Sequence, residues 1–490
     1  MDRYDLLVIG GGINGVGIAR DAAGRGLSVL LVEKDDLAAH TSSSSSKLIH
    51  GGLRYLEHYE FRLVAEALAE REVLLKTARH LVWPARFVMP HVPGLRPRWM
   101  IRVGLFLYDH LARRASLPGS RAIRLDAPPY DSGLRPHLKH GFVYSDCRVD
   151  DARLVIVNAM DARQRGATVL TRTECVAARR SGGAWEVTLG DGRQVAAQAI
   201  VNAAGPWVKR VLNERLGQPS HDGLKLVKGS HIVLPRLYQG DHAFILQNDD
   251  RRVVFMIPYG ERHTLVGTTD VPVEGLPDAV EASDLEVEYL CRALGRYLSS
   301  PVDATQVAWR FAGVRPLYDD GTSDPSAITR DYTLRVDDAD GAAPVLSVYG
   351  GKVTTYRRLA EHALRKLAPY FPGMRGDWTA SVPLIGGDFG GASREQARDA
   401  LFARYSGLPQ ALLRGMFRRH GMLAYDVLGA ARSLADLGED RGGGLYDLEI
   451  EYLIAREWAR SADDVLWRRT KAGLQLSAAQ RAAVARRMDA

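Results

Sequence analysis

Residues Tyr4–Glu33 read YDLLVIGGGINGVGIARDAAGRGLSVLLVE, and few folds accommodate that order. The apolar run Leu6–Ile9 predicts a buried strand. Gly10, Gly12 and Gly15 follow as G-x-G-x-x-G, and Gly17 and Ala19 lead on into a helical stretch. A second run, Ser28–Val32, ends on Glu33, completing a β-α-β unit with its acid in place. Gly10 suits a tight turn, Gly12 lets backbone approach a pyrophosphate, and Gly15 lets helix pack on strand. The helix N-terminus presents unpaired N–H groups and a partial positive charge to phosphates. Glu33 can accept hydrogen bonds from a ribose, which favours FAD or NAD over NADP, whose extra phosphate it would repel.

A chain of 490 residues predicts two or three domains with a large core. A net charge of +7, carried mostly by arginine, suits anionic ligands or an anionic membrane surface. It is not the concentrated basic face of a nucleic-acid binder, so no nucleic-acid partner is expected. Cys147, Cys175 and Cys291 stand apart, which predicts no disulfide framework, no metal site and a reducing cytosol. No leader is expected before the first strand, and no apolar run reaches 18 residues.

The polar stretch His40–Lys47 carries five consecutive serines, Ser42–Ser46, beside the dinucleotide turn, where a ligand-binding loop is expected. Helices are predicted over Phe61–Leu81 and up to Arg165. Strands are predicted at Thr168–Leu170, Trp185–Leu189, Ala199–Asn202 and Val345–Tyr349. β-Branched and aromatic pieces from Gly229 to Asp270 predict an antiparallel sheet. Gly350-Gly351-Lys352 follows a buried strand and precedes a helix from about Thr354. Gly386–Gly391 reads as a linker to a helix-rich tail.

Several segments together resemble the respiratory-type, FAD-dependent glycerol-3-phosphate dehydrogenases of the wider D-amino-acid-oxidase-like flavoprotein group. They include TSSSSSKLIHGGLRYLEHYEFRL, YSDCRVDDARL, VNAAGPWV, KGSHIVLPR, GTTD, GVRPL, ITRDY and YGGKVTTYRRLAEHAL, in the family's order from Met1 to about Leu364. DVLWRRTKAGL resembles the family's C-terminal helical domain. The resemblance implies an α/β fold: a Rossmann-like FAD domain, an antiparallel-sheet substrate or cap domain and a C-terminal helical domain. We place these at 1–80, 145–228 and 331–375; at 81–144 and 229–330; and at 386–490. It also implies oxidation of sn-glycerol 3-phosphate to dihydroxyacetone phosphate by hydride transfer to flavin N5, with electrons passed to membrane quinone. A homodimer is expected, peripheral on the inner face of the cytoplasmic membrane.

The expected FAD contacts are Gly10, Gly12, Ile13, Asn14, Gly15 and Glu33 at the adenosine half. By resemblance, Thr41, Ser42, Ser46, Lys47 and Leu48 line the path to the flavin, and Ala204 and Gly205 follow a second strand. Gly350, Gly351, Lys352, Val353 and Thr354 are expected at the pyrimidine edge, where a lysine and a helix N-terminus would stabilise negative charge. A phosphate substrate calls for arginine forks, and Arg54, Arg315 and Arg330, with Tyr55, lie in the family's motifs. Arg315 can also meet the hydroxyl oxygen. His231 in GSHIVL is the candidate base, because an imidazole titrates near neutrality; Lys352 or a water is the alternative.

The stretch Trp99–Tyr108, flanked by Arg96, Arg98, Arg113 and Arg114, reads as an interfacial helix in anionic headgroups or as a buried cap helix. The tail around Trp458, Trp467, Arg468, Arg469 and Lys471 reads as a solvated face or a dimer contact. Rival functions are a glycerol-3-phosphate oxidase using O₂, an amino-acid oxidase, a nicotinamide dehydrogenase and a non-catalytic flavin-binding scaffold or sensor.

Overall fold

The computed structural model describes residues 1–92, 96–112, 115–220, 222–250, 252–276, 280–319 and 331–489. Two large sheets carry the molecule. The first has eight strands, six of them in the order Thr333–Asp337, Val345–Tyr349, Gln194–Asn202, Asp2–Ile9, Val29–Val32, Thr168–Leu170. Its centre is parallel: Asp2–Ile9 pairs with both Gln194–Asn202 and Val29–Val32. Val29–Val32 is buried at every residue, as a parallel strand covered on both faces must be. Helices Ile13–Gly24, Asp151–Gln164 and Tyr356–Leu367 pack together beside it through one apolar cluster. Asp150 caps the second of these by accepting the Arg153 N–H.

The second sheet has ten strands, eight of them in the order Val271–Val273, Leu224–Pro235, His263–Gly267, Val253–Tyr259, Ala243–Gln247, Val82–Pro90, His140–Val149, Leu48–Ile49. Strand Trp309–Tyr318 pairs antiparallel with Leu224–Pro235. One parallel contact, 243–244 against 87–88, interrupts an otherwise antiparallel sheet. The boundaries expected at 144/145 and 228/229 fall inside strands His140–Val149 and Leu224–Pro235. The helix expected to reach Leu81 ends at Thr77, so that Val82 can enter the second sheet.

From Arg394 onward the chain forms short helices around two apolar clusters of its own. Helix Arg98–His110 lies against the second sheet. It buries Ile101, Leu105 and Tyr108 while leaving Trp99 67%, Val103 51% and Phe106 60% exposed. No helix among the described residues is long and apolar enough to cross a membrane.

Candidate functional site

Between the two sheets lies a cavity of about 800 Å³. Its adenosine end is built from backbone. Gly10, at φ +114°, ends the first strand, and a Cβ there would lie 2.6 Å from the Ala203 carbonyl oxygen. A Cβ on Gly15 would lie 1.9 Å from the Gly10 oxygen, so helix and turn touch only because both are glycine. Glu33 is pinned by the N–H groups of Gly11 (2.6 Å) and Asp35 (2.8 Å). Burial raises its pKa, against the opposing pull of those two donors. Ser42 Oγ accepts the Ile13 N–H at 3.0 Å, which ties the serine loop to the helix start.

The serine loop is fastened from below by a residue the sequence reading did not single out. Asp151 accepts from Ser45 N and Oγ (3.2 and 2.7 Å) and pairs with Lys47 Nζ at 2.8 Å. Lys47 therefore anchors the loop and does not line the cavity, contrary to expectation; its charge is already matched by Asp151. Gly15 too lies behind the wall, serving packing. The other expected contacts, Gly10, Gly12, Ile13, Asn14, Glu33, Thr41, Ser42, Ser46, Leu48, Ala204, Gly205, Gly351, Lys352, Val353 and Thr354, all line the cavity. So does Gly350.

At the opposite end, side chains from distant segments converge. His231 is buried on strand Leu224–Pro235 and stacks on Phe311 across the sheet (5.0 Å, 12°). A Cβ on Gly267 would lie 2.2 Å from its ring, so that glycine makes room for the imidazole. Its Nε2 meets Ser46 Oγ at 3.0 Å, while Nδ1 has no hydrogen-bond partner. Burial, then the charges of Lys47 and Arg315, push its pKa down to about 3. The ring is thus neutral at rest; burial and the two neighbouring cations oppose its protonation, an opposition that an anionic substrate beside it would relieve.

Arg315 Nη2 donates to the Thr269 carbonyl (2.8 Å) and pairs with Asp270 at 2.8 Å. Gly229 lets that guanidinium cross the sheet, since a Cβ there would lie 2.4 Å from Nη2. Lys352 Nζ sits 4.2 Å above the Tyr55 ring, and both residues line the cavity. His50, Phe255 and Thr268 also line it. The sequence reading did not single them out, although His50 lies in the serine-loop segment and Thr268 in GTTD; the pairing of strands brings them here. Arg54 is half-buried and does not line the wall, whereas its neighbour Tyr55 does; the buried Arg54 Nε has no hydrogen-bond partner. Arg330 lies outside the described residues.

The cavity suits a flavin dinucleotide. A helix start with no side-chain cap of its own faces it, an acid waits at one end and a lysine at the other. Asn14 Nδ2 donates to the Gly350 carbonyl (3.1 Å), yet its buried Oδ1 has no partner, a polar atom left for a ligand.

Comparison with known proteins agrees. Residues 5–357 match the family described as FAD dependent oxidoreductase, and residues 378–489 match the C-terminal domain of alpha-glycerophosphate oxidase. The aerobic glycerol-3-phosphate dehydrogenase of Escherichia coli is 53% identical over 489 residues, covering 99% of this chain and 97% of that one. The D-erythritol 1-phosphate dehydrogenase of Brucella abortus is 50% identical over 487 residues, covering 98% and 97%. The crystal structure of the glycerol-3-phosphate dehydrogenase of Bacillus halodurans complexed with FAD superposes with a TM-score of 0.73 at 25% identity, covering 99% of this chain and 94% of that one. Dinucleotide turn, ribose acid, cavity and family match converge on one statement: this chain belongs to the FAD-dependent oxidoreductases, with FAD as its cofactor and a glycerophosphate-oxidase-type domain at its C-terminus.

Proposed function

We propose that the protein oxidises sn-glycerol 3-phosphate to dihydroxyacetone phosphate and delivers the electrons to membrane quinone. The observation that carries this reading is the meeting, in one cavity, of a neutral imidazole, an arginine fork and a lysine. FAD, when bound, supplies the two-electron sink that no side chain offers. Arg315, held by Thr269 and Asp270, matches the oxygens of a phosphate or of the reacting alkoxide. His231 takes the hydroxyl proton as C2 gives up its hydride, and the unpartnered Nδ1 leaves the ring with acceptor capacity. Lys352, just ahead of helix Tyr356–Leu367, offsets negative charge at the substrate end of the cavity.

The surface supports the proposed acceptor. The exposed face of helix Arg98–His110 carries Trp99, Met100, Val103 and Phe106, with Arg98 and Arg102 beside them. At thirteen residues it is too short to span a bilayer. It suits a headgroup-level contact with an anionic membrane, where a quinone is within reach. We accordingly place the protein peripherally on the inner face of the cytoplasmic membrane.

A second substrate reading, D-erythritol 1-phosphate, is favoured by the Brucella relative at 50% identity. One experiment separates the readings. The flavin spectrum is recorded anaerobically before and after sn-glycerol 3-phosphate, D-erythritol 1-phosphate, glycerol or a D-amino acid. Bleaching by glycerol 3-phosphate ahead of erythritol 1-phosphate supports the proposal. The reverse order transfers the assignment, and a band that no substrate bleaches leaves only a flavin-binding scaffold. Reoxidation by quinone in vesicles, faster than by O₂ with release of peroxide, supports the acceptor; the opposite order makes the enzyme an oxidase.

A further inference from the structure

The rings behind His231 continue past Phe311. Phe311 and Trp309 stand two residues apart on strand Trp309–Tyr318, hence on one face, with centroids 4.6 Å apart. Trp467, from the C-terminal domain, stacks on Trp309 at 4.7 Å and 22°. A four-ring ladder, His231–Phe311–Trp309–Trp467, thus runs from the cavity wall into a domain with no residue on that wall.

The outer rung is held firmly. A Cβ on Gly473 would lie 2.7 Å from the Trp467 indole, so glycine gives the ring its place. The residues beside Trp467 are tied to the flavin domain. Arg468 Nε and Arg469 Nη2 bind Asp36 at 2.6 and 2.8 Å, and Arg172 binds Asp464 at 2.7 Å. The inner rung is held less well, because His231 has one hydrogen bond, to Ser46, and an unpartnered Nδ1. Its ring plane thus rests on that one bond, on the space Gly267 leaves and on the Phe311 stack. The charged groups facing it are Lys47, paired with Asp151 and lying 5.1 Å from the Phe311 ring, and Arg315, paired with Asp270.

We propose that Trp467 is a positioning residue for the oxidation: through Trp309 and Phe311 it fixes the orientation of His231 and keeps water from the back of its ring. The inference rests on His231 being the proton acceptor of the proposed reaction. A misplacement of about 1 Å far from the chemistry can cost about a hundredfold in rate, so loss of the outermost rung has room to be felt.

The test compares wild type with Trp467→Ala, Trp467→Leu and Trp467→Phe as holoproteins, by rapid anaerobic mixing with sn-glycerol 3-phosphate over a pH series. The alanine and leucine variants are expected to retain flavin, to lose roughly tenfold in flavin-reduction rate at saturating substrate and to shift KM by less than about twofold. Water reaching His231 raises its pKa, so the acid limb of the rate profile moves to higher pH. The phenylalanine variant restores both. A second readout needs no substrate: in isotope-labelled histidine spectra, His231 does not titrate above about pH 5 in wild type and does so in Trp467→Ala. Unchanged reduction rate and unchanged His231 titration overturn the ladder, as does a loss confined to melting temperature or flavin content. Wild-type flavin unbleached by glycerol 3-phosphate overturns the substrate reading instead, and the titration still decides the ladder.

Discussion

The two ends of the cavity are made in opposite ways. The adenosine end is assembled largely from main chain within a few residues of three parallel strand tips: Gly10 against Ala203, Glu33 on the N–H of Gly11. The substrate end is assembled from side chains on segments hundreds of residues apart, Tyr55, His231, Arg315 and Lys352 among them. A site built of backbone tolerates almost no added atom. A site built of side chains tolerates substitution structurally and records it in chemistry.

The largest expected effect tests the first half of that contrast. Gly15→Val drives carbon into the Gly10 carbonyl, where even a Cβ would be 1.9 Å away. The purified protein should carry no flavin absorbance; a flavin-replete Gly15→Val would break the contrast outright. At the other end, Arg315→Leu should keep its flavin yet lose about a hundredfold or more in kcat/KM for glycerol 3-phosphate, from the lost charge-assisted bonds and an abandoned Asp270. Arg315→Lys should recover little of this, since an ammonium lacks the fork. His231→Gln should lower flavin-reduction rate about a hundredfold at unchanged flavin content. Loss of flavin in either variant would mean that the two ends are not separable.

A smaller effect is expected at the surface. Val103→Glu with Phe106→Glu should abolish flotation with anionic vesicles while leaving anaerobic bleaching by substrate unchanged, because the face they occupy is opposite Ile101, Leu105 and Tyr108.

The smallest is a difference of sign on titrating the apoprotein. His231 is held at about 3, so below pH 6.5 the unfolded chain takes up a proton that the folded one refuses. Its contribution to stability is lost as pH falls from 6.5 toward 3. Glu33 is raised above its ordinary 4.5, so the folded form keeps a proton longer. Its contribution is present below pH 4.5 and is lost as pH rises. His231→Gln should therefore flatten the acid-side fall in melting temperature, and Glu33→Gln should flatten the opposing slope just above pH 4.5.

This contrast also explains what the sequence made legible. The adenosine end obeys spacing rules because one β-α-β unit contains it, and the residues from Gly10 to Glu33 are readable in order. Family resemblance carried the reading to the serine loop and to Gly350–Thr354, but it could not separate a lining residue from a support. Lys47 and Lys352 look alike on paper; one is neutralised by Asp151 beneath the loop and the other lies over Tyr55 on the wall. Arg54 and Tyr55 are neighbours in one motif, and spacing alone does not say that Tyr55 is the one on the wall. His50 and Thr268 lie in the quoted segments and Phe255 in none of them, yet only strand order, set by packing of the whole second sheet, shows that all three reach the wall. The Trp467 stack was invisible for the same reason, its partner Trp309 lying 158 positions away in sequence.

Arg468 and Arg469 grip Asp36, three residues beyond the ribose acid. A segment of the C-terminal domain thus fastens a loop 432 positions before it. Synthesis runs from the N-terminus, so the adenosine loop waits without its clamp until residues 468 and 469 have been made. A polypeptide cut short before Arg468 holds Gly10, Gly12 and Gly15 but not that latch. The order in which the chain is made thus sets when the adenosine loop is held in place.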